Sequence, residues 1–499
     1  MNKRVVIVGS GLGGLECGYI LAKQGYNVTV LEKEHQTGGC LQTFVRGGRR
    51  FDTGFHYVGG LGEGESLRPL FDYFGLMDLP WKRLDEDCFD EVVYGDKAYR
   101  FAQGHERFVE TLAADFPMES AKLERYAALL KNVGDHIWDS LSPRDADAFY
   151  SQSLFAKSAW EWLCETIDDP TLRQVLGGTA LKMELDRDRL PLYVFAQINN
   201  SFIQSAWRLQ GGGSQIADRL TEEIEQLGGR VRTRAEVTEL IEKDGVIAEV
   251  EINGEERIPC DWVISDAHPA LTLSLVKESA VLRGIYRRRI ANLKNSVGMF
   301  TMNIRLKENT LPYLNRNLYI HRGDADLWQV QTTPIQSALV HFYPPEDGGK
   351  WAQAVDILCQ VELTSDLSQK GWGDSEEDKG KPMHRSAEYE AYKAQKADEL
   401  LAFVSGRLPE LRGAIEQYWT STPLTYEYYT GTWQGSAYGI TKDWQSPMTT
   451  VLTPRTPIAN LLLTGQSLNL HGILGTSMTS LFTTAEIIGK ETIRKELKI

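Results

Sequence analysis

The run Val5-Val6-Ile7-Val8 passes straight into Gly9-Ser10-Gly11-Leu12-Gly13-Gly14, and this junction restricts the fold more than any other stretch. Four apolar β-branched residues in a row read as a strand buried on both faces, the pattern of a parallel sheet. A helical stretch follows from Leu15 to Gln24, with Leu15, Tyr19 and Ala22 on one face, and Gly25 ends it. Asn27 to Leu31 reads as a second strand, with Glu32 at its end. A lone GxGxxG is a weak signal. With a strand before it, a helix after it and an acid about 20 residues on, it reads as an ADP-binding βαβ unit. Gly9 permits the tight turn, Gly11 lets the backbone approach a pyrophosphate, and Gly14 lets helix and strand pack closely. The helix N-terminus offers unpaired N–H groups to phosphate, and Glu32 can accept hydrogen bonds from ribose hydroxyls.

A chain of 499 residues has room for two or three domains. Lys and Arg number 54 against 68 Asp and Glu, and the net charge of −14 argues against nucleic acid as a general partner. The six cysteines have no CxxC spacing, so neither a metal site nor a disulfide framework is expected, and unpaired thiols fit a reducing compartment. No apolar run approaches the ~18 residues of a membrane span, and the nucleotide strand begins too early for a signal sequence. The expectation is a cytoplasmic protein, soluble or peripheral at the cytoplasmic membrane face.

Past Glu32 comes the doublet Gly38-Gly39, in the position where flavoproteins of the glutathione-reductase-like class carry one; Cys40 stands where many of them have a basic residue. Residues 91–207 carry no nucleotide motif and turn helical, with Leu154, Phe155, Ala159, Trp162, Leu163 and Ile167 expected on one helical face that forms domain core. Leu209 to Gly213 leads into an amphipathic helix that Ser214 is placed to cap. Val231 to Thr233 and Val237 to Ile241 read as strands. Gly245 to Pro259 reads as a β-hairpin turning at Asn253-Gly254, and Trp262 to Ser265 as one more strand. Arg283, Arg287, Arg288, Arg289 and Lys294 crowd one short stretch, either a solvated helix face or a contact for an anionic membrane surface. Ser365 to Ser386 is a polar surface excursion, and Tyr389 to Phe403 is helical. Near the end, Asn460 to Gln466 reads as strand then turn, and Gly472 to Ser477 opens a last helix.

The segments Phe51 to Gly59 (FDTGFHYVG), Thr464 to Gly475 (TGQSLNLHGILG), Thr422-Pro423 and Gly435 to Gly439 (GSAYG) carry a further likeness. With the N-terminal fingerprint, they make the chain resemble the retinol saturase, carotenoid isomerase and phytoene desaturase family of flavoproteins, with its closest matches in the retinol saturase branch. The resemblance implies an α/β fold. A Rossmann-type FAD-binding domain of the glutathione-reductase-like class would be built from residues 1–90, 208–275 and 455–499. An α+β substrate domain would be inserted as residues 91–207 and 276–454. The expected FAD contacts are Gly9, Gly11, Leu12 and Gly14 in the loop, Glu32 and Lys33 after the second strand, and the doublet Gly38-Gly39. Val237 in the middle segment and Gly465, Gln466, Gly472 and Gly475 in the closing one complete the set.

The family acts on long conjugated isoprenoids, so the resemblance implies an apolar polyene substrate and, from its closest branch, saturation of a double bond. Saturation adds a hydride to one carbon and a proton to its neighbour. His56 and Tyr57 are the proton-donor or positioning candidates, because chain past the doublet leads from the pyrophosphate toward the flavin; His471 is a second candidate. No second GxGxxG with strand, helix and acid occurs, so electrons are expected from a transient visit of NAD(P)H or from an electron carrier. The alternatives are a polyene isomerase or desaturase on the same fold, and a non-catalytic lipid escort protein. An amine oxidase shares the fold and ranks below these.

Overall fold

The computed structural model describes residues 3–142, 144, 148–362 and 386–499. β1 (Arg4–Val8), α1 (Leu12–Lys23) and β2 (Asn27–Leu31) form the expected unit, with the two strands parallel and Val6 opposite Thr29. The helix begins at Leu12 rather than Leu15, because Gly11 already stands as its N-cap. Nor does it bury one face only. Every residue from Leu12 to Ala22 is buried, since the helix lies on the sheet and also packs against the helices Ser214–Gln226 and Gly472–Ile488. At Gly14 the fit leaves no room: a Cβ there would lie 2.2 Å from the carbonyl oxygen of Gly9.

The parallel sheet runs in the order Arg230–Arg232, β2, β1, Trp262–Ser265, Leu461–Leu463. Its strands therefore come from the beginning, the middle and the end of the sequence, in a Rossmann-type arrangement. The expected hairpin forms as Val246–Ile252 and Glu256–Pro259, but Ile252 pairs with Glu256, so the connection has three residues, Asn253 to Glu255, rather than the two expected; Asn253 and Gly254 are both at positive φ.

A seven-stranded sheet forms the second layer system, in the order Ile415–Ser421, Gly298–Leu306, Ala354–Val361, Ser337–Phe342, Asn317–His321, Asp90–Tyr94, Lys97–Phe101. Side chains alternate across it. Phe300, Ile304, Leu318, Val340 and Ile357 point one way, into a core shared with Ala397, Leu400 and Val404 of the helix Ala387–Ser405. Met299, Tyr319, Leu339 and Leu358 point the other way, into a cavity. Helices between His105 and Gln204 pack on the far edge around Phe108, Tyr126, Phe195 and Trp328.

Two local expectations are corrected. Ser214 does not cap its helix. Gly213 is the N-cap residue, its N–H bonds to the Asp52 carboxylate at 2.7 Å, and Ser214 Oγ accepts instead from Thr43 Oγ1. The apolar set 154–167 is not one helical face but two helices, Phe149–Phe155 and Ala159–Thr166, because Ser158 caps the second by accepting from Glu161 N. Apart from Ser386, the polar excursion lies outside the described residues.

The Gly14 contact yields a test. Gly14→Ala forces the helix start away from the strand, and an overpacked site of this kind costs about 1–3 kcal/mol. The variant should melt at a lower temperature than the parent; an unaltered melting curve would mean that the loop gives way freely.

Candidate active site

A cavity of about 560 Å³ lies between the glycine loop of the parallel sheet and the inner face of the seven-stranded sheet. Its nucleotide end is lined by Gly9, Gly11, Leu12, Glu32, Lys33, Gly38, Gly39 and Val237, and the closing segment adds Gln466 and Gly472. Gly14, Gly465 and Gly475 stand behind that wall. Their missing side chains let it close, since a Cβ on Gly475 would lie 2.3 Å from the Leu470 carbonyl oxygen.

Glu32 is buried and aimed. Its Oε2 accepts from Ser10 N at 3.0 Å and Ser10 Oγ at 2.6 Å, and its Oε1 accepts from Glu34 N at 2.9 Å. These bonds hold the carboxylate beside the cavity at the end of β2, where a ribose would need an acceptor. The N-terminus of α1 faces the same space with no side-chain cap of its own. Glycine loop, ribose acid, doublet and closing helix together fit FAD, and the residues named would hold its ADP half.

Asp266 is the residue that the sequence reading missed at this end. It follows the strand Trp262–Ser265, and its N–H bonds to the Val8 carbonyl at 2.8 Å. Its carboxyl is wedged among the loop glycines: a Cβ on Gly11 would lie 2.3 Å from one oxygen and a Cβ on Gly465 2.5 Å from the other. Burial pushes its pKa up to about 7, against the Gly14 N–H that favours the anion, and nearby Glu32 adds to the rise. Its place was open to inference, because ligands of such sheets bind beyond the carboxyl ends of the strands.

The three catalytic candidates all line the cavity. His56 leaves its Nδ1 without a hydrogen-bond partner, 3.9 Å from Asp356 Oδ2, and its ring centre lies 5.0 Å from that of His341. Burial, and then the charge of Arg208, push its pKa down to about 4, so the ring is neutral at neutral pH rather than the ready acid that histidine chemistry suggests. Tyr57 donates to Asp90 Oδ2 at 2.9 Å and meets Tyr319 OH at 2.6 Å. His471 is the N-cap residue of the closing helix, its Nε2 is 3.0 Å from the Lys182 carbonyl, and burial brings it to about 4 as well. Sequence reasoning did not reach Lys182 and Tyr319, which line the cavity, or Asp90 and Asp356, which bond behind its wall; strand register places Asp90, Tyr319 and Asp356, and the turn Ala180–Lys182 brings Lys182.

The fold and this cavity define an FAD-dependent oxidoreductase built on a Rossmann-type sheet. The chain belongs to the family described as flavin containing amine oxidoreductase, which matches residues 12–277, more than half of its length. Among its relatives, the all-trans-retinol 13,14-reductase of Danio rerio is 27% identical over 97% of this chain and 85% of its own. The 4,4'-diapolycopene oxygenase of Methylomonas sp is 23% identical over 94% of this chain and 95% of its own. Of solved structures, putrescine oxidase bound to putrescine superposes with a TM-score of 0.65 at 17% identity, over 98% of this chain and 99% of its own, a likeness of fold.

Asp266 should make flavin binding pH-dependent. With its pKa near 7 the carboxyl is neutral below that pH and anionic above it, and the anion repels a pyrophosphate at the same helix N-terminus. FAD affinity should therefore fall as pH rises from about 6 to about 8, by at most about tenfold per unit for one proton. Asp266→Asn should flatten the profile in a flavin fluorescence titration, and a slope that survives the substitution would remove Asp266 as its source.

Proposed function

We propose that the protein saturates a carbon–carbon double bond of a long apolar polyene, with FAD as hydride carrier and NAD(P)H as a transient electron donor. The observation that carries this reading is the character of the cavity beyond the nucleotide loop. Ile198, Phe202, Met299, Leu339, Leu358 and Leu470 offer it hydrocarbon walls. The carboxylates that line the cavity, Glu32, Glu236 and Asp266, all belong to its nucleotide end, so a cationic amine finds no counter-charge where a substrate would lie. The relative named for reducing all-trans-retinol supports both the polyene and the direction.

When bound, FAD would supply the hydride transfer. The chain's own contribution is to hold the substrate dry and to move a proton. Burial raises the pKa of Asp356 well above the usual carboxylate range, against Tyr343 OH and Asn303 Nδ2, whose donated hydrogen bonds favour the anion, and the step uses its protonated form. In the Nε2–H tautomer, His56 gives its own Nε2 proton to the substrate carbon while Nδ1 takes a proton from Asp356, so that the imidazole ends neutral and Asp356 is left as the carboxylate. The 3.9 Å gap must first close by about 1 Å to reach hydrogen-bond length.

His56→Phe should lower turnover by roughly 10²-fold with bound FAD retained. Photoreduced enzyme and a retinoid, followed by chromatography of the products, tests this; equal turnover would take His56 out of the mechanism. Geometric isomers without saturated product would favour the isomerase alternative, and a purified protein without yellow colour the lipid escort.

A reversible contact with a membrane surface belongs to the same proposal, because such substrates are membrane-borne. No described helix is long and apolar enough to cross a membrane. The helix Gly284–Ala291 exposes Ile285 at 71% between the exposed Arg283, Arg288 and Arg289. Arg287 departs from the basic set by turning inward onto the carbonyls of Leu273 and Val276. Vesicles with anionic lipid should retain more protein than neutral ones at low salt, and Ile285→Glu should abolish the difference. Equal retention on both would make this a solvated face.

A further inference from the structure

The polar patch at the inner end of the cavity carries more charge than the structure balances. Asp90, fully buried, accepts from Lys182 Nζ at 2.7 Å and from Tyr57 OH at 2.9 Å through one oxygen, and from Asn317 Nδ2 at 2.8 Å through the other. Arg208, 1% exposed, stands behind Asn317 and donates to its Oδ1 at 2.5 Å. The other acceptors of Arg208 are the carbonyls of Leu314 and Arg316 and the Tyr313 hydroxyl, all neutral. Two buried basic groups thus face one buried anion; burial lowers the pKa of Lys182, and the contact with Asp90 opposes that shift. The remaining titratable groups nearby do not supply the missing charge. Tyr57 and Tyr319 are held in the phenol form by burial, and His56, His341 and His471 are neutral.

Of the two cations, only Lys182 reaches the cavity. Its side chain is 6% exposed, and its ammonium lies 4.1 Å from the centre of the Phe202 ring and 5.2 Å from that of Tyr57. One of its three N–H groups is engaged by Asp90. An ammonium at the end of a hydrocarbon-lined space is costly to keep unless an anion completes its shell. We infer that Lys182, oriented by Asp90 and framed by Tyr57, Tyr319 and Phe202, docks the carboxylate of an acid-headed apolar substrate. A hydroxyl could take a hydrogen bond there, but it would leave the extra positive charge unbalanced. The inference rests on the polyene reading and narrows it from polyenes at large to polyenoic acids.

The test uses the flavin-loaded protein with three probes of one skeleton, all-trans-retinoic acid, its methyl ester and all-trans-retinol, read by the perturbation of the flavin absorbance spectrum. The acid should bind about tenfold or more tightly than the ester or the alcohol, the size expected of a buried charge-assisted bond. Lys182→Met alone strands Asp90, so the matched variant is K182M/D90N, in which both charges go together. It should bind the ester as the parent does and lose the preference for the acid, whereas Lys182→Arg should keep that preference. Equal binding of acid, ester and alcohol by the parent overturns the carboxylate dock and leaves the polyene reading standing. If none of the three perturbs the flavin, the polyene reading falls and the dock with it. The parent comparison decides even if the double variant does not fold.

Discussion

Everything in this molecule depends on the pairing of β1 with strands that lie hundreds of residues away. Val5 to Val8 sit in parallel register with Trp262 to Ser265 on one side and with β2 on the other, and Val263 to Ser265 pair in turn with Leu461 to Leu463. These are short strands, and their side chains are almost wholly buried. Parallel strands of this kind hold only when both faces of the sheet are covered. The coverage brings α1, Ser214–Gln226 and Gly472–Ile488 together, and with them the glycine loop, the ribose acid and the closing segment. The cofactor end of the cavity is thus a by-product of satisfying one sheet.

The other end follows from a division of labour across the seven-stranded sheet. One face is hydrocarbon and is stapled to the helix Ala387–Ser405. The opposite face mixes Leu339, Leu358 and Met299 with Asp356, His341, Asn303, Asn317 and Tyr319, nearly all without solvent access. Polar groups buried so deeply must bond to one another. Most do so in two knots, Asp356 with Tyr343 and Asn303, and Asp90 with Lys182, Tyr57 and Asn317, while His341 Nδ1 is left without a partner. The second knot presents Lys182 and Tyr57 to the cavity, and His56 stands there beside the first.

How much of this could be read in the sequence divides along the same line. The loop, Glu32, the doublet and the closing helix were legible because phosphate and ribose impose a local pattern that adjacent residues must meet. The floor was not. Asp90 meets Lys182 and Tyr57, and Asp356 meets Asn303, only through strand register and chain crossover, and no short window of sequence pairs them at a telling spacing. Ser214 shows the same limit at small scale: its position suited a cap, but Asp52, from a distant hairpin, had already met the N–H group. Position alone put His56 at the cavity, where it does lie, but not its charge, because its pKa is set by burial and by Arg208, which lies 152 residues further on.

The sheet order also has a consequence for how the chain is made. Synthesis proceeds from the N-terminus, so β1 leaves the ribosome long before Trp262–Ser265, and Leu461–Leu463 follows nearly 200 residues later still. Until then a strand of Val and Ile has an open edge, the condition that invites wrong pairing. The intervening stretch that builds the seven-stranded sheet can pair within itself in the meantime, mostly through antiparallel neighbours. Assembly would then run from the inserted part outward, and the nucleotide half would be the last to mature. A yellow nascent chain would be one that already carries Leu461–Leu463.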